Sequence, residues 1–435
     1  MEVKSRGLNA KVSESADFYQ GNDPAELIKK FGSPLYVYSE KILRAKCREL
    51  KNMVSYPKFM VNYSTKANSN FAVLKTIKEE GLHADALSPG EMFLLLNAGF
   101  DPSEIFFVSN NVDDEEMRYA IGKKILTGVD SVSQLERFGR LSQSIISAGP
   151  NSAGKVAVRF NPGVGAGHHQ KVVTGGNETK FGVNAEYIPQ VRELLKKYSL
   201  KLAGINQHIG SLFMTGESYM EGMNNLLEIA AQFDDLEFID LGGGFGIPYH
   251  KQSGETPMDI KELGRKLSVI MNEFSEKYGK KITFKVEPGR YVTAECAILL
   301  GKANAVKYNG PKKFIGTDLG FNVLARPMIY DSHHDIEIYR PKDSPAFASS
   351  SKEEKVSIVG NICESGDILA RDRILPEIFE DDIIGVLDSG AYGFAMSSGY
   401  NSRLRPAEVM IKENSEVLLT RKRDTLEQLL CNQPK

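Results

Sequence analysis

The sequence predicts an α/β protein: a (β/α)8 TIM-type barrel with a second, mostly antiparallel β domain. Three observations carry that expectation. From Lys58 to Glu287, short β-branched or aromatic runs alternate with longer amphipathic stretches, which implies right-handed crossovers and a parallel sheet. Eight such runs fall within about 230 residues, the arithmetic of a closed barrel. After Arg290 the rhythm changes to strand after strand with little helix between them. The chain has 435 residues, and at roughly 150 residues per domain that is room for two to three domains. A doubly wound open sheet shares the alternation, because periodicity does not show closure.

Taken in order, Leu35–Tyr38 reads as a strand ahead of the barrel count, so residues 1–39 are expected to join the second domain. The barrel strands are Phe59–Tyr63, Leu82–Leu87, Ile105–Val108, Ile125–Val129, Val156–Phe160, Leu202–Gln207, Leu236–Leu241 and Ile282–Glu287. Helical patterns lie between them at Asn70–Glu80, Pro89–Ala98, Asp113–Ile121, Ser131–Ser147, Ala185–Tyr198, Glu217–Phe233 and Pro257–Tyr278. Ser88-Pro89-Gly90-Glu91 supplies an N-cap, a first-turn proline and a capping glutamate, and Gly81 stops the helix before it. Beyond the barrel, Ala297–Val306, Phe314–Leu319, Lys355–Val359, Ile383–Asp388, Ala407–Ile411 and Glu416–Arg421 read as strands. These set the expected domains at 40–297 for the barrel and 1–39 with 298–435 for a β-sandwich or Greek-key-like partner. Pro341–Lys355 is polar and rich in Pro and Ser, as in a mobile loop, and Arg421–Leu430 reads as a terminal helix.

Composition excludes several functions. Lys and Arg number 54 against 56 Asp and Glu, a net charge of -2, which gives no support for a nucleic-acid or anionic-membrane partner. No apolar run approaches a bilayer span. The first residues, Met1 to Arg6, have no apolar core of a signal peptide, so secretion is not expected. Cys47, Cys296, Cys363 and Cys431 are scattered, which argues against a disulfide framework or a metal site and for the reducing cytoplasm.

In a parallel barrel, chemistry sits where strands end at their carboxyl termini. The first strand runs into Ser64-Thr65-Lys66-Ala67-Asn68, and Asp85 lies in the second. The third leads to Ser109-Asn110-Asn111, and the fifth carries Arg159 and ends in Asn161-Pro162-Gly163. His208-Ile209-Gly210-Ser211 follows the sixth, Gly242-Gly243-Gly244-Phe245-Gly246 the seventh, and Glu287-Pro288-Gly289-Arg290 the eighth. Each has a bland reading: a surface lysine, a tight glycine turn, a satisfied core histidine, a glutamate paired with Arg290. Together on one rim they are better explained by function. Glycine backbone N–H groups wrap phosphate oxygens, and barrels commonly bind phosphate after strands seven and eight. A lysine held out of water is a competent amine nucleophile. Two chemistries use both: an aldolase Schiff base with a sugar phosphate, and pyridoxal phosphate. The second also wants an acid at its ring nitrogen and a flat partner for its face, which Glu287 and His208 offer.

These motifs, with Arg326-Pro-Met-Ile-Tyr330, Cys363-Glu-Ser-Gly-Asp367 and Gly390-Ala-Tyr-Gly393, make the chain resemble the barrel-type pyridoxal-phosphate decarboxylases of the alanine-racemase-like fold. Within them it is most similar to the diaminopimelate decarboxylase family, over nearly the whole chain. The resemblance implies decarboxylation of meso-2,6-diaminopimelate to L-lysine, with pyridoxal 5'-phosphate as cofactor. It makes Lys66 the amine that carries the cofactor and His208 the ring stacked on it. Ser211, Gly244 and the backbone at Pro288 and Gly289 then hold the phosphate, Glu287 pairs with the ring nitrogen, and Asp85, Arg290 and Tyr392 lie at the cofactor. Arg290, Arg326, Tyr330, Glu364 and Tyr392 bind substrate, and Cys363 donates the proton that replaces the lost carboxylate. In this family Cys363 and Glu364 come from the second subunit, which implies a homodimer with shared sites.

The residue types agree with that chemistry. The substrate has two similar ends, one to be spared. Arginines clamp a carboxylate by paired hydrogen bonds, and Glu364 suits an ammonium. A thiol is a plausible acid near neutral pH. Several positions depart from the family pattern: Ser64 and Thr65 before the lysine, Pro89 after Ser88, Leu212 in place of Gln, Val323 in the run before Arg326, and Asn361 in place of Pro. None is a residue assigned chemistry. They leave open a related substrate, such as ornithine, arginine or a carboxylated polyamine.

Overall fold

The computed structural model describes residues 11–146, 154–167, 174–176, 179–341 and 352–434. Contacts divide the chain into two compact units. One comprises Ala45–Gly246 and Met258–Val292. The other comprises the residues up to Arg44, the segment Ile247–Pro257, and the chain from Thr293 onward.

The first unit is a closed parallel barrel. Its strands are Phe59–Ser64, His83–Ala86, Ile105–Val108, Leu126–Val129, Lys155–Arg159, Lys201–Asn206, Phe238–Asp240 and Thr283–Val286. They neighbour one another in chain order, and the eighth returns to the first with Phe284 opposite Phe59. That pairing rules out the open sheet. Every expected strand is present, with bounds that differ by no more than two residues at either end. The helices between them are Phe71–Glu79, Pro89–Ala98, Asp114–Gly122, Val132–Ile146, Ile188–Lys197, Glu217–Ala230 and Ile260–Tyr278. Ser147, the last residue of the expected fourth helix, lies outside the described residues.

Local chemistry explains the helix ends. Ser88 accepts the Glu91 N–H at 3.2 Å, while the Glu91 carboxylate reaches past Ser88 to the Leu87 N–H at 2.7 Å. Asp113 accepts from Glu115 and Glu116 and makes a full capping box with Glu116. Strand alternation then sets what faces inward. Phe106 and Phe238, from the third and seventh strands, meet edge to face with centroids 5.5 Å apart. These strands are not neighbours, so the two rings cross the barrel and plug it. Two residues beyond Phe238 on the same face lies Asp240, so the polar layer begins directly above the plug, toward the carboxyl ends.

The second unit is built on a nine-stranded sheet among the described residues. Its central path runs Ile368–Pro376, Glu353–Val359, Lys312–Thr317, Ala297–Asn309, Leu35–Ser39, Ala407–Ile411 and Val417–Arg421. Ile383–Val386 also pairs with Ala297–Asn309, and Ile336–Tyr339 pairs with Ile383–Val386. Two of the eight pairings are parallel and the rest antiparallel. Its core joins Leu35, Val37, Ile298, Leu300, Ile383, Val409 and Ile411 with Leu27 and Ile28 from the helix Pro24–Phe31 and Phe18 from the segment before it.

Three elements of the sheet unit differ from expectation. Ile336–Tyr339 and Ile368–Pro376 were not anticipated as strands. The second ends the sheet path and carries Arg371, Asp372 and Arg373 at its middle, which hides its alternation. The expected helix at Arg421–Leu430 is only a 3-10 turn at Glu427–Leu430. Asp424 explains this: its carboxylate takes Arg405 Nε at 3.0 Å and Arg421 Nη2 at 2.7 Å. Its N–H donates to the Arg405 carbonyl at 3.2 Å. The chain stays pinned along the sheet through Asp424, so no helix starts at Arg421. Of the expected loop Pro341–Lys355, residues 342–351 lie outside the described residues, and Glu353 already begins a strand.

Candidate active site

Inward-facing positions at the carboxyl ends of the barrel strands carry the polar residues. Ser64 ends the first strand and pairs in register with Asp85 of the second. Arg159 ends the fifth opposite Asn206 of the sixth, and Asp240 of the seventh lies opposite Lys285 of the eighth. Lys285 and Glu287 alternate onto the same face. Asp85, Arg159, Asn206, Asp240 and Glu287 are all buried.

The loops after the strands lock together. Lys66, half-buried, sits on a 3-10 turn, Thr65–Ala67, straight after the first strand. The Ser64 N–H donates to the Pro288 carbonyl at 3.2 Å. A Cβ on Gly289 would stand 2.9 Å from the Ala67 Cβ and 3.1 Å from the Ser64 Cβ, so only glycine lets these loops approach. The Glu287 N–H donates to the Gly242 carbonyl at 3.0 Å, joining the eighth loop to the seventh. Gly244 adopts φ +113°, and a Cβ there would lie 2.2 Å from Phe213 Cε1 and 2.6 Å from the Gly210 carbonyl oxygen. The Gly243 N–H donates to His208 Nδ1 at 3.2 Å. Arg290 is buried and its Nη2 donates to Ser211 Oγ at 3.0 Å.

Burial sets the protonation of this rim. It pushes Asp85 up to about 7 despite the nearby Lys66 ammonium. Asp240 rises to about 6 for the same reason, with Lys285 pulling the other way. Glu287 is raised well above the usual carboxylate range by burial and then by the neighbouring Asp240 and Asp85 charges. The two buried carboxyls of Glu287 and Asp240 stand close enough to bias each other's ionisation. His208 is driven well below its ordinary value by burial and by the Lys66 and Arg159 charges. A neutral imidazole agrees with its Nδ1 accepting from Gly243 and leaves the ring proton on Nε2.

The remaining predicted residues belong to the sheet unit. Arg326 and Tyr330 open and close the short helix Arg326–Tyr330, with Arg326 buried and Tyr330 half-buried. Cys363 and Glu364 are exposed on one loop. Asn401 Oδ1 accepts the Cys363 N–H at 3.1 Å, and Glu364 Oε1 accepts from the Tyr400 hydroxyl at 2.7 Å. Asp367 pins that loop to the turn before Arg326, taking the Ile362 and Phe321 N–H groups, each at 2.7 Å. Tyr392, half-buried with φ +57°, follows a buried charge cluster in which Lys251 Nζ lies 2.6 Å from Asp388 Oδ1 and 2.8 Å from Glu295 Oε1.

Thus the structure brings Lys66, Asp85, His208, Ser211, Gly244, Glu287, Pro288, Gly289 and Arg290 together at one barrel rim, and carries Arg326 and Tyr330 on a short helix and Cys363, Glu364 and Tyr392 on two loops of the sheet unit. Sequence reasoning missed Asp240, Lys285 and, in the sheet unit, Lys251 and Asp388. Period-two alternation back from Glu287 was the available signal for Lys285. The others are significant only through neighbours distant in sequence. Among the described residues no cluster of His, Cys, Asp or Glu is suited to a metal ion, and no helix is long and apolar enough to cross a membrane.

This geometry fits pyridoxal phosphate. Gly244 lets the seventh loop pack against Phe213 and the Gly210 carbonyl, where a Cβ would collide, and the same rim carries the Ser211 hydroxyl, the Arg290 guanidinium and a neutral flat imidazole. Asp85 Oδ1 and Glu287 Oε1 are buried oxygens with no hydrogen-bond partner from the chain. Comparison with known proteins agrees. The family model for the pyridoxal binding domain of pyridoxal-dependent decarboxylases matches residues 40–294. A diaminopimelate decarboxylase of Methanothermobacter thermautotrophicus is 40% identical over 422 residues, covering 95% of this chain and 94% of that one. One from Escherichia coli is 32% identical over 423 residues, covering 94% of each. The Helicobacter pylori diaminopimelate decarboxylase, solved in complex with L-lysine, superposes with a TM-score of 0.83 at 30% identity, covering 93% of this chain and 98% of that one.

Proposed function

The chain belongs to the diaminopimelate decarboxylase family of pyridoxal-dependent decarboxylases, and from that premise we propose that it converts meso-2,6-diaminopimelate to L-lysine and carbon dioxide. The reaction is the last step of lysine biosynthesis, and the proposed compartment is the cytoplasm. The observation that carries the reading is the union on one barrel rim of Lys66, a neutral His208, a Glu287 carboxyl raised well above the usual range and the close-packed Gly244 turn.

Pyridoxal phosphate, when bound, supplies an electron sink for the pair left behind by the departing carboxylate. The chain's own residues do the rest. Lys66 Nζ is the amine that holds the cofactor's aldehyde. Glu287 keeps a proton available for the ring nitrogen, and the neighbouring Asp240 charge helps to hold it there. His208 packs its flat ring against the cofactor's face. Ser211 Oγ and the backbone at Gly244, Pro288 and Gly289 hold the phosphate. Asp85 stands near Lys66 as a carboxyl that exchanges its proton near neutral pH. Arg290, Arg326, Tyr330 and Glu364 hold the spared end of the substrate, and Tyr392 lines the cofactor. The Cys363 thiol delivers the proton that takes the place of the lost carboxylate. We propose a head-to-tail homodimer in which Cys363 and Glu364 of one copy serve the barrel of the other. Exposure of both residues in the single chain supports this reading.

The test is carbon dioxide release from a panel of amino acids by cofactor-loaded protein. Diaminopimelate is expected to be turned over far faster than ornithine, arginine or a carboxylated polyamine. Equal or better turnover of any of those would contradict the substrate assignment.

A further inference from the structure

We propose that His334 is the positioning residue for Arg326, holding its guanidinium in the orientation that receives the substrate's spared carboxylate. This deepens the assignment of Arg326 above and rests on it.

Hydrogen-bond directions around the His334 ring define this role. Arg326 is 1% exposed, and its Nη1 lies 2.8 Å from His334 Nε2. A guanidinium only donates, so Nε2 must accept and carry no proton. On the other side of the ring, His334 Nδ1 lies 2.7 Å from the Leu387 carbonyl oxygen. A carbonyl only accepts, so Nδ1 must carry the proton. The two bonds together specify one neutral tautomer, which orients the guanidinium without neutralising it. A carboxylate in the same position would spend that charge. Ser332 Oγ accepts from Nη2 at 3.4 Å, and the Tyr249 ring lies 4.6 Å from Cζ, stacking on the guanidinium face. Tyr249 also meets the His334 ring edge to face at 5.2 Å.

The support for His334 is rigid. It precedes the strand Ile336–Tyr339, which pairs with Ile383–Val386, and the Leu387 N–H donates to the Asp335 carbonyl at 3.0 Å. His334 therefore bridges two neighbouring chain segments. One is the helix that starts at Arg326. The other leaves Leu387 for Asp388, which Lys251 holds, and goes on to Tyr392. Arginine grips a carboxylate by two parallel bonds from a flat fork, so a small rotation of that plane loses one of them.

The experiment uses cofactor-loaded protein and two probe ligands: L-lysine, and 1,5-diaminopentane, which is L-lysine without its carboxylate. His334→Phe removes both hydrogen bonds at similar volume. It is expected to weaken L-lysine binding and raise KM for diaminopimelate on the order of tenfold, with kcat changed roughly threefold or less. Binding of 1,5-diaminopentane is expected to stay unchanged. His334→Gln, which can accept from Arg326 and donate to Leu387, is expected to recover most of the affinity. Arg326→Ala reports on the underlying assignment. If it leaves L-lysine affinity unchanged, that assignment falls and the inference with it. If it weakens binding while His334→Phe does not, the inference alone is overturned. A fall in melting temperature without a change in L-lysine affinity would make His334 purely structural and also overturn it. Nitrogen-15 spectra of the unmodified protein read the tautomer directly, with no dependence on how variants fold. The Nδ1–H form is expected, and an Nε2–H form or an imidazolium at neutral pH would contradict the proposal.

Discussion

A carboxyl group cut off from water keeps its proton to higher pH, and the barrel rim holds three of them. Asp85 gives the most direct consequence. Its ordinary value is 3.8 and the folded protein moves it to about 7. Between those values the folded chain binds a proton that the unfolded chain lacks. The stability this contributes is complete below the unfolded value and is lost as pH rises through the folded one. In ligand-free protein, Asp85→Asn is expected to flatten the fall in melting temperature between about pH 4 and about pH 7. Parallel profiles for the variant and the unmodified protein would contradict the burial argument. At this scale the sequence was informative where chemistry sits at strand exits. Lys66, His208 and Glu287 are conspicuous because polar residues end an apolar run, and Asp85 because it interrupts one. Asp240 and His334 are not, because each matters through a partner 47 or 8 residues away, Glu287 or Arg326, that only folding brings near.

The loops between elements do the positioning. Gly289 lies where the exits of the first and eighth strands touch, with 2.9 Å to Ala67 Cβ from the Cβ it lacks. Gly289→Ala is expected to push the Lys66 turn outward, weakening cofactor affinity at least about tenfold while the barrel still folds, since the change costs one loop contact. Equilibrium dialysis with pyridoxal phosphate and a thermal melt separate the two effects. Full cofactor affinity in that variant would mean the loop contact is incidental. Most elements were legible for a physical reason. Parallel barrel strands are short apolar runs, and helices such as Pro89–Ala98 carry their own start and stop signals. The misses follow from the same physics. At Ile368–Pro376 an edge strand exposes charged residues, and beyond Arg421 a helical pattern is overruled by the ion pairs of Asp424. Barrel closure itself was not legible, since it is a pairing between Phe284 and Phe59 across the whole domain.

At the scale of the whole molecule, the predicted machinery is divided between a barrel and a sheet unit, and the proposed dimer unites them across copies. Lys66→Ala and Cys363→Ala proteins are each expected to be nearly inactive. Mixed under conditions that exchange subunits, they are expected to regain activity, because one hybrid site in each mixed dimer carries both an intact Lys66 and an intact Cys363. No recovery after mass spectrometry confirms exchange would contradict the shared site. All of this depends on which amine carries the cofactor. Borohydride reduction of the cofactor-loaded protein, followed by peptide mass mapping, tests that directly. The account predicts one covalent adduct, on Lys66; an adduct on any other lysine, or on none, would contradict it.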